Sequence, residues 1–81
     1  MVLSIRINGS LAQEIGTTRL TVDLPSPVTV ENVIQELVLR HPHSAETLQV
    51  TIPFVGGRHL DKTTILKQGQ QIALLMPAAG G

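Results

Sequence analysis

The sequence predicts one two-layer α+β domain. Three observations carry this: period-2 alternation at both ends of the chain, one strongly amphipathic helical stretch between them, and a length of 81 residues. Chains divide into several domains only when they are much longer. A single amphipathic helix covers one face of a single sheet, and two layers follow.

Leu3, Ile5 and Ile7 alternate with Ser4, Arg6 and Asn8, the pattern of a half-buried strand, and Asn8-Gly9-Ser10 breaks it. Residues Leu11 to Gly16 are too short for an independent helix, but Leu11 and Ile15 stand at i, i+4 and can pin one turn that Gly16 ends. Leu20, Val22 and Leu24 alternate in a second strand that Pro25-Ser26-Pro27 stops, because proline cannot donate a ladder hydrogen bond.

Thr29 is a good N-cap, and Val28 and Val33 have the spacing of a hydrophobic staple. Val30, Val33, Ile34, Leu37 and Val38 then recur on one helical stripe, with Glu31, Asn32, Gln35, Glu36 and Arg40 on the solvated side. His41-Pro42 ends the helix, since the residue before a proline is pushed out of helical dihedrals.

His43 to Gln49 reads as a loop or a short helical turn around Ala45 and Leu48. Val50, Ile52 and Phe54 or Val55 suggest a third strand, which Pro53 assigns to an edge or a bulge. Gly56-Gly57 supplies a two-residue hairpin turn into a short return strand around Arg58 to Leu60. Asp61 to Leu66 reads as a connector with Ile65 and Leu66 facing inward, and Gln68-Gly69-Gln70 turns the chain into a last strand through Ile72, Leu74 and Met76. The order β, β, α, β, β, β is that of a ubiquitin-like β-grasp. It implies a mixed sheet of four to five strands with one main helix on one face, the first and last strands parallel at its centre. Residues 1–76 form that domain, and residues 77–81 a flexible tail.

Composition narrows the chemistry. Cysteine is absent, so disulfides, thiolate metal sites and a cysteine nucleophile are excluded. Six basic and six acidic residues balance to zero net charge, and aromatic content is 1%, so neither the charge nor the stacking platforms of a nucleic-acid binder are present. No stretch approaches the roughly 20 apolar residues of a membrane span, and Met1-Val2-Leu3 lacks the pattern of a signal peptide. A cytoplasmic protein without nucleic-acid or membrane partners is expected.

Catalytic side chains are sparse. His41 and His43 flank Pro42 without a third ligand at a meaningful spacing, and His59 reads as a surface residue, so no metal site is expected. Glu14, Glu46 and Asp61 stand singly, so no acid-base pair is legible. Gly56-Gly57 precedes no helix and is better explained as a turn than as a phosphate cradle. The unusual feature is the end, Pro77-Ala78-Ala79-Gly80-Gly81. With glycine at about 7% of ordinary usage, a chance Gly-Gly there is well under about one in a hundred. Small residues suit a tail threaded through a narrow channel, and a glycine carboxylate is unhindered toward activation by ATP. Gly81 is therefore the expected reacting residue, with Gly80, Ala79, Ala78 and Pro77 as the slender tail that presents it.

A docking face is expected beside the tail. With Ile72, Leu74 and Met76 under the helix, period-2 geometry places Ala73 and Leu75 on the open face of the sheet. Phe54 and Leu39 would extend that apolar patch, and the alternative is that loops cover it.

The helix start Val28-Thr29-Val30, the run from Leu66 to Leu74 and the tail from Pro77 to Gly81 carry a resemblance across the whole chain. The sequence resembles the MoaD/ThiS family of ubiquitin-like sulfur carriers, and within it the small subunit of molybdopterin synthase. The resemblance implies that an E1-like enzyme uses ATP to adenylate Gly81 and that a sulfurtransferase donor converts the adenylate to a thiocarboxylate. The tail would then enter the large catalytic subunit of molybdopterin synthase and deliver sulfur in molybdenum cofactor biosynthesis. On that reading the chain binds no cofactor and is a non-catalytic, sulfur-donating subunit. Carriers for thiamine, tRNA or cysteine synthesis and ubiquitin-like protein modifiers share the fold and the Gly-Gly end.

Overall fold

A computed structural model describes residues 1–77. Its central sheet has five strands in the order β2-β1-β7-β4-β5, comprising β1 (Val2–Ile7), β2 (Arg19–Asp23), β4 (Ile52–Val55), β5 (Arg58–His59) and β7 (Gln71–Leu75). The first and last strands, β1 and β7, run parallel side by side, and the other pairs are antiparallel. This is the ubiquitin-like β-grasp that the order of elements predicts.

Alternation decides which face is buried. Leu3, Ile5 and Ile7 of β1 and Ile72 and Leu74 of β7 are buried, while Val2, Ser4 and Arg6 point the other way. The helix α2 (Val30–Arg40) buries Val30, Val33, Ile34 and Leu37 against that face. Thr29 caps it reciprocally: its hydroxyl accepts from the Asn32 amide at 3.1 Å, and Asn32 Oδ1 accepts from the Thr29 amide at 2.9 Å. Such a box satisfies two donors that a helix start leaves unpaired. Arg40 in the last turn pairs with Glu36 and donates to the Thr21 carbonyl, tying the helix to β2.

Four expectations need correction. α1 (Gly9–Ile15) is a formed helix of two turns, ended by Gly16 at φ 90°, where one turn was expected. Isolated helices of this length are unstable in water. Tertiary contacts hold this one, through buried Leu11 and through the Glu14 carboxylate, which accepts from the hydroxyls of Ser44 at 2.7 Å and Thr47 at 2.9 Å. Those hydroxyls belong to a 3₁₀ turn, Pro42–Ser44, and to α3 (Ala45–Gln49), so the domain has three helices where one was secure in the sequence.

β4 is an internal strand, without the edge position or bulge that Pro53 suggested. The Pro53 carbonyl accepts from the Leu60 amide at 2.9 Å, but proline has no N–H to return the bond, and β5 stops at His59. The missing donor shortens the outer strand and leaves the β4·β7 ladder intact. Val50, expected in the strand, is instead the exposed residue that ends α3. Ile65, expected to face inward, is 63% exposed. It lies in β6 (Ile65–Leu66), which pairs with β3 (Val28–Thr29) in a two-residue ribbon whose alternation buries only Leu66 and Val28.

The Glu14 contacts carry a pH dependence. The Ser44 and Thr47 hydroxyls hold its carboxyl below the usual carboxylate range, His43 adds a smaller pull in the same direction, and desolvation opposes them. A folded-state pKa below the unfolded one gives stability that is present above the unfolded value and lost as pH falls through the folded one. Thermal unfolding followed by circular dichroism should therefore show wild type more stable than Glu14→Gln near neutral pH. The difference should shrink as the pH drops through and below the ordinary carboxylate range. A gap constant with pH would refute this.

Candidate functional site

The open face of the sheet is organised in rows. Cross-strand registers place Arg19 opposite Arg6, Arg6 beside Ala73, Ala73 opposite Phe54, and Phe54 opposite His59. Residues directly opposite share a face, so these five form one row across all five strands. The next row holds Leu75 opposite Ile52. Ile52, Phe54, Ala73 and Leu75 are each half-buried and together make an apolar patch on β4 and β7. The Phe54 and His59 rings lie 5.6 Å apart, which closes the patch on the β5 side.

The other end of the row is basic. Arg6 and Arg19 are exposed and directly opposed, an arrangement that costs stability in a sheet. Neither makes an ion pair among the described residues. The apolar patch is thus bordered by two exposed guanidinium groups, those of Arg6 and Arg19.

Ala73, Leu75 and Phe54, expected from the sequence as a docking set, are thus brought together on one face. Leu39, the proposed extension, is not among them. It is 78% exposed on α2, near Gln35, Val38 and Gln49, across the sheet from the patch. Pro77, the second residue past β7, is exposed, while Ala78, Ala79, Gly80 and Gly81 lie outside the described residues. His41 and His43 approach edge-on at 6.5 Å, and among the described residues no three His, Asp or Glu gather as metal ligands. No helix of the described residues is long and apolar enough to cross a membrane.

The tail starts from a fixed point that sequence reasoning missed. The amide of Met76, the first residue past β7, donates to Asn8 Oδ1 at 2.8 Å. Asn8-Gly9 reads in sequence only as a strand break, and nothing local signals a bond spanning 68 residues.

The sequence matches the ThiS family over residues 5–81, which is nearly the whole chain and includes the terminal Gly80-Gly81. The chain belongs to the ThiS family. ThiS proteins are ubiquitin-like sulfur carriers of the MoaD/ThiS type. No curated protein matches in sequence. Among solved structures, SAMP1 of Haloferax volcanii is similar at TM-score 0.87 and 20% identity, with all of both chains covered. A chain from the complex of subunits 1 and 2 of the molybdopterin-converting factor of Helicobacter pylori is similar at TM-score 0.69 and 22% identity, again with all of both chains covered. The ubiquitin of Caldiarchaeum subterraneum follows at TM-score 0.64 and 19% identity, covering 100% of this chain and 98% of its own. These likenesses show the ubiquitin-like β-grasp fold. Small ThiS/MoaD-type ubiquitin-like proteins are generally non-catalytic carriers.

Proposed function

We propose that this ThiS protein carries sulfur as a thiocarboxylate on Gly81 and donates it in molybdopterin biosynthesis as the small subunit of molybdopterin synthase. The observation that carries the reading is a family match that runs through Gly80-Gly81. The chemistry proceeds by activation. A Gly81 carboxylate oxygen bonds to the α-phosphorus of ATP, the α–β phosphoanhydride breaks, and pyrophosphate leaves with the bonding electrons. Hydrosulfide, released from a sulfurtransferase persulfide by a reducing thiol that is itself oxidised to a disulfide, then adds to the carbonyl carbon of the acyl-adenylate and expels AMP. ATP belongs to the E1-like activating enzyme, and the carrier itself needs no bound cofactor. The likeness to the subunit 1 and 2 complex supports a large catalytic subunit as the sulfur-receiving partner.

On this reading Leu75, Ala73 and Phe54 form the partner-binding face, and Pro77, Ala78, Ala79 and Gly80 thread Gly81 into the partner's active site. Leu75→Asp places a carboxylate in the apolar patch. It should weaken partner binding by about 2 kcal/mol, roughly thirtyfold, with little change in unfolding temperature. Calorimetric titration against the catalytic subunit or the activating enzyme checks this, and an unchanged affinity would remove the face from the interface.

Intact mass spectrometry after incubation with ATP, an activating enzyme and a sulfide donor tests the carrier reading. A gain of one sulfur for one oxygen is expected, absent when Gly81 is deleted. The likeness to ubiquitin and to a small archaeal modifier favours a conjugating modifier as the second reading. It would appear as higher-mass lysine conjugates on other proteins in place of a thioacid.

A further inference from the structure

An asparagine at a helix N-cap ordinarily turns its side chain back onto the first free amides of its own helix, worth about 1 kcal/mol. Asn8 stands at the N-cap of α1 with the extended backbone of that position, and its carbonyl accepts from the Ala12 amide. Its side chain makes no capping bond. Oδ1 instead accepts from the Met76 amide at 2.8 Å. The β1·β7 ladder reaches Ile7 opposite Leu74, so this contact extends the parallel pairing beyond the end of the strands by one side-chain bond.

Gly9 completes the arrangement. Its φ of +57° lies in the left-handed region, and a Cβ there would stand 3.2 Å from Met76 Cγ and 3.3 Å from Met76 Cβ. Only a residue without a side chain lets the Met76 side chain lie this close to the loop. Both residues of the Asn8-Gly9 pair therefore serve Met76, one by a bond and the other by leaving space.

We propose that Asn8 and Gly9 are positioning residues of the carrier reaction. They pin the Met76 amide and so fix the point from which Pro77 to Gly81 reach into a partner's active site. The proposal rests on the reading of Gly81 as the reacting carboxylate. Five residues beyond the pin span at most about 17 Å of extended chain, so the anchor sets a short, defined reach. Releasing it moves the pivot back toward Leu75 and adds slack. The tail then samples more orientations in which its carboxylate misses the α-phosphorus of ATP, and the approach that drives the reaction is populated less often.

The test uses the full chain with the activating enzyme that loads the wild type, reading pyrophosphate release. Asn8→Ala should lose hydrogen-exchange protection at the Met76 amide and lower kcat about tenfold, with KM for the carrier changed less than about twofold because the docking face is intact. Asn8→Asp keeps an acceptor and should return kcat to within about twofold of wild type. Inserting one glycine after Pro77 should slow wild type more than Asn8→Ala, since slack already present cannot be added again. A variant that merely loosened the fold would not show this non-additivity. Wild-type loading with an unaltered kcat in Asn8→Ala, or an unaltered Met76 exchange rate, overturns the anchor alone. Failure of wild type to load under conditions that load another ThiS protein overturns the carrier reading, and the anchor's role in it as well.

Discussion

Deleting Gly81 is expected to abolish ATP-dependent sulfur loading while leaving the thermal unfolding transition unchanged. The deletion moves the terminal carboxylate back by one residue, roughly 3.5 Å of extended chain, and places it on Gly80. Displacements of about 1 Å in a near-attack arrangement already cost about a hundredfold in rate, so loading should fall by at least that factor. Among the described residues Leu74 is the last fully buried one, and Met76 packs at the core's margin with its amide tied to Asn8. Intact mass after sulfur loading and a circular-dichroism melt of the same sample separate the two effects. Loading of the deleted chain at the wild-type rate would show that Gly81 is not the reacting residue, and a large drop in melting temperature would show that it supports the fold.

Ile72→Ala should cost about 3 to 4 kcal/mol of folding free energy. Ile72 is 0% exposed in β7 and stands in register with Ile5 of the parallel strand β1, itself 0% exposed. Removing its outer carbons from a packed interior loses their transfer energy and leaves a cavity that neighbours only partly fill. An 81-residue domain has a total stability of about 4 to 12 kcal/mol, so the loss is a large share of it. Urea unfolding should show the shift at an unchanged slope. Leu39→Ala supplies the control, since Leu39 is 78% exposed and its truncation should stay within about 0.5 kcal/mol. A cost under about 1 kcal/mol for Ile72→Ala would contradict the burial of β7 beneath the helical layer.

The Gly81 deletion and Ile72→Ala separate the jobs of neighbouring segments. β7 holds the sheet together through side chains that face inward, presents Ala73 and Leu75 outward, and delivers the chain at Met76 to Asn8. On the proposed reading, fold, docking and tail placement therefore meet on a few consecutive residues.

The sequence by itself determined what depends on neighbours along the chain. The alternation of Leu3, Ile5 and Ile7, the stripe from Val30 to Val38, the Thr29 cap and the positive dihedrals needed at Gly56-Gly57 are local features, and each stands in the structure as read. From these and the order of elements the β-grasp follows. The Gly80-Gly81 end was legible for the same reason, as a chemical feature of consecutive residues.

Only the tertiary structure decided what depends on residues far apart in the chain. α1 and α3 are too short to persist alone, and the Glu14 bonds to Ser44 and Thr47 join segments 30 residues or more apart. Pro53 lies in an internal strand because its missing donor faces the short β5, which alternation along β4 cannot reveal. Leu39 and Phe54 look equally apolar in sequence, but one lies on the helical layer and the other on the open sheet face. The Asn8 to Met76 bond is the extreme case. A lone side chain acquires its meaning, across 68 residues, only when β1 and β7 are laid in parallel, and a pattern that counts neighbours carries no information about such a pairing.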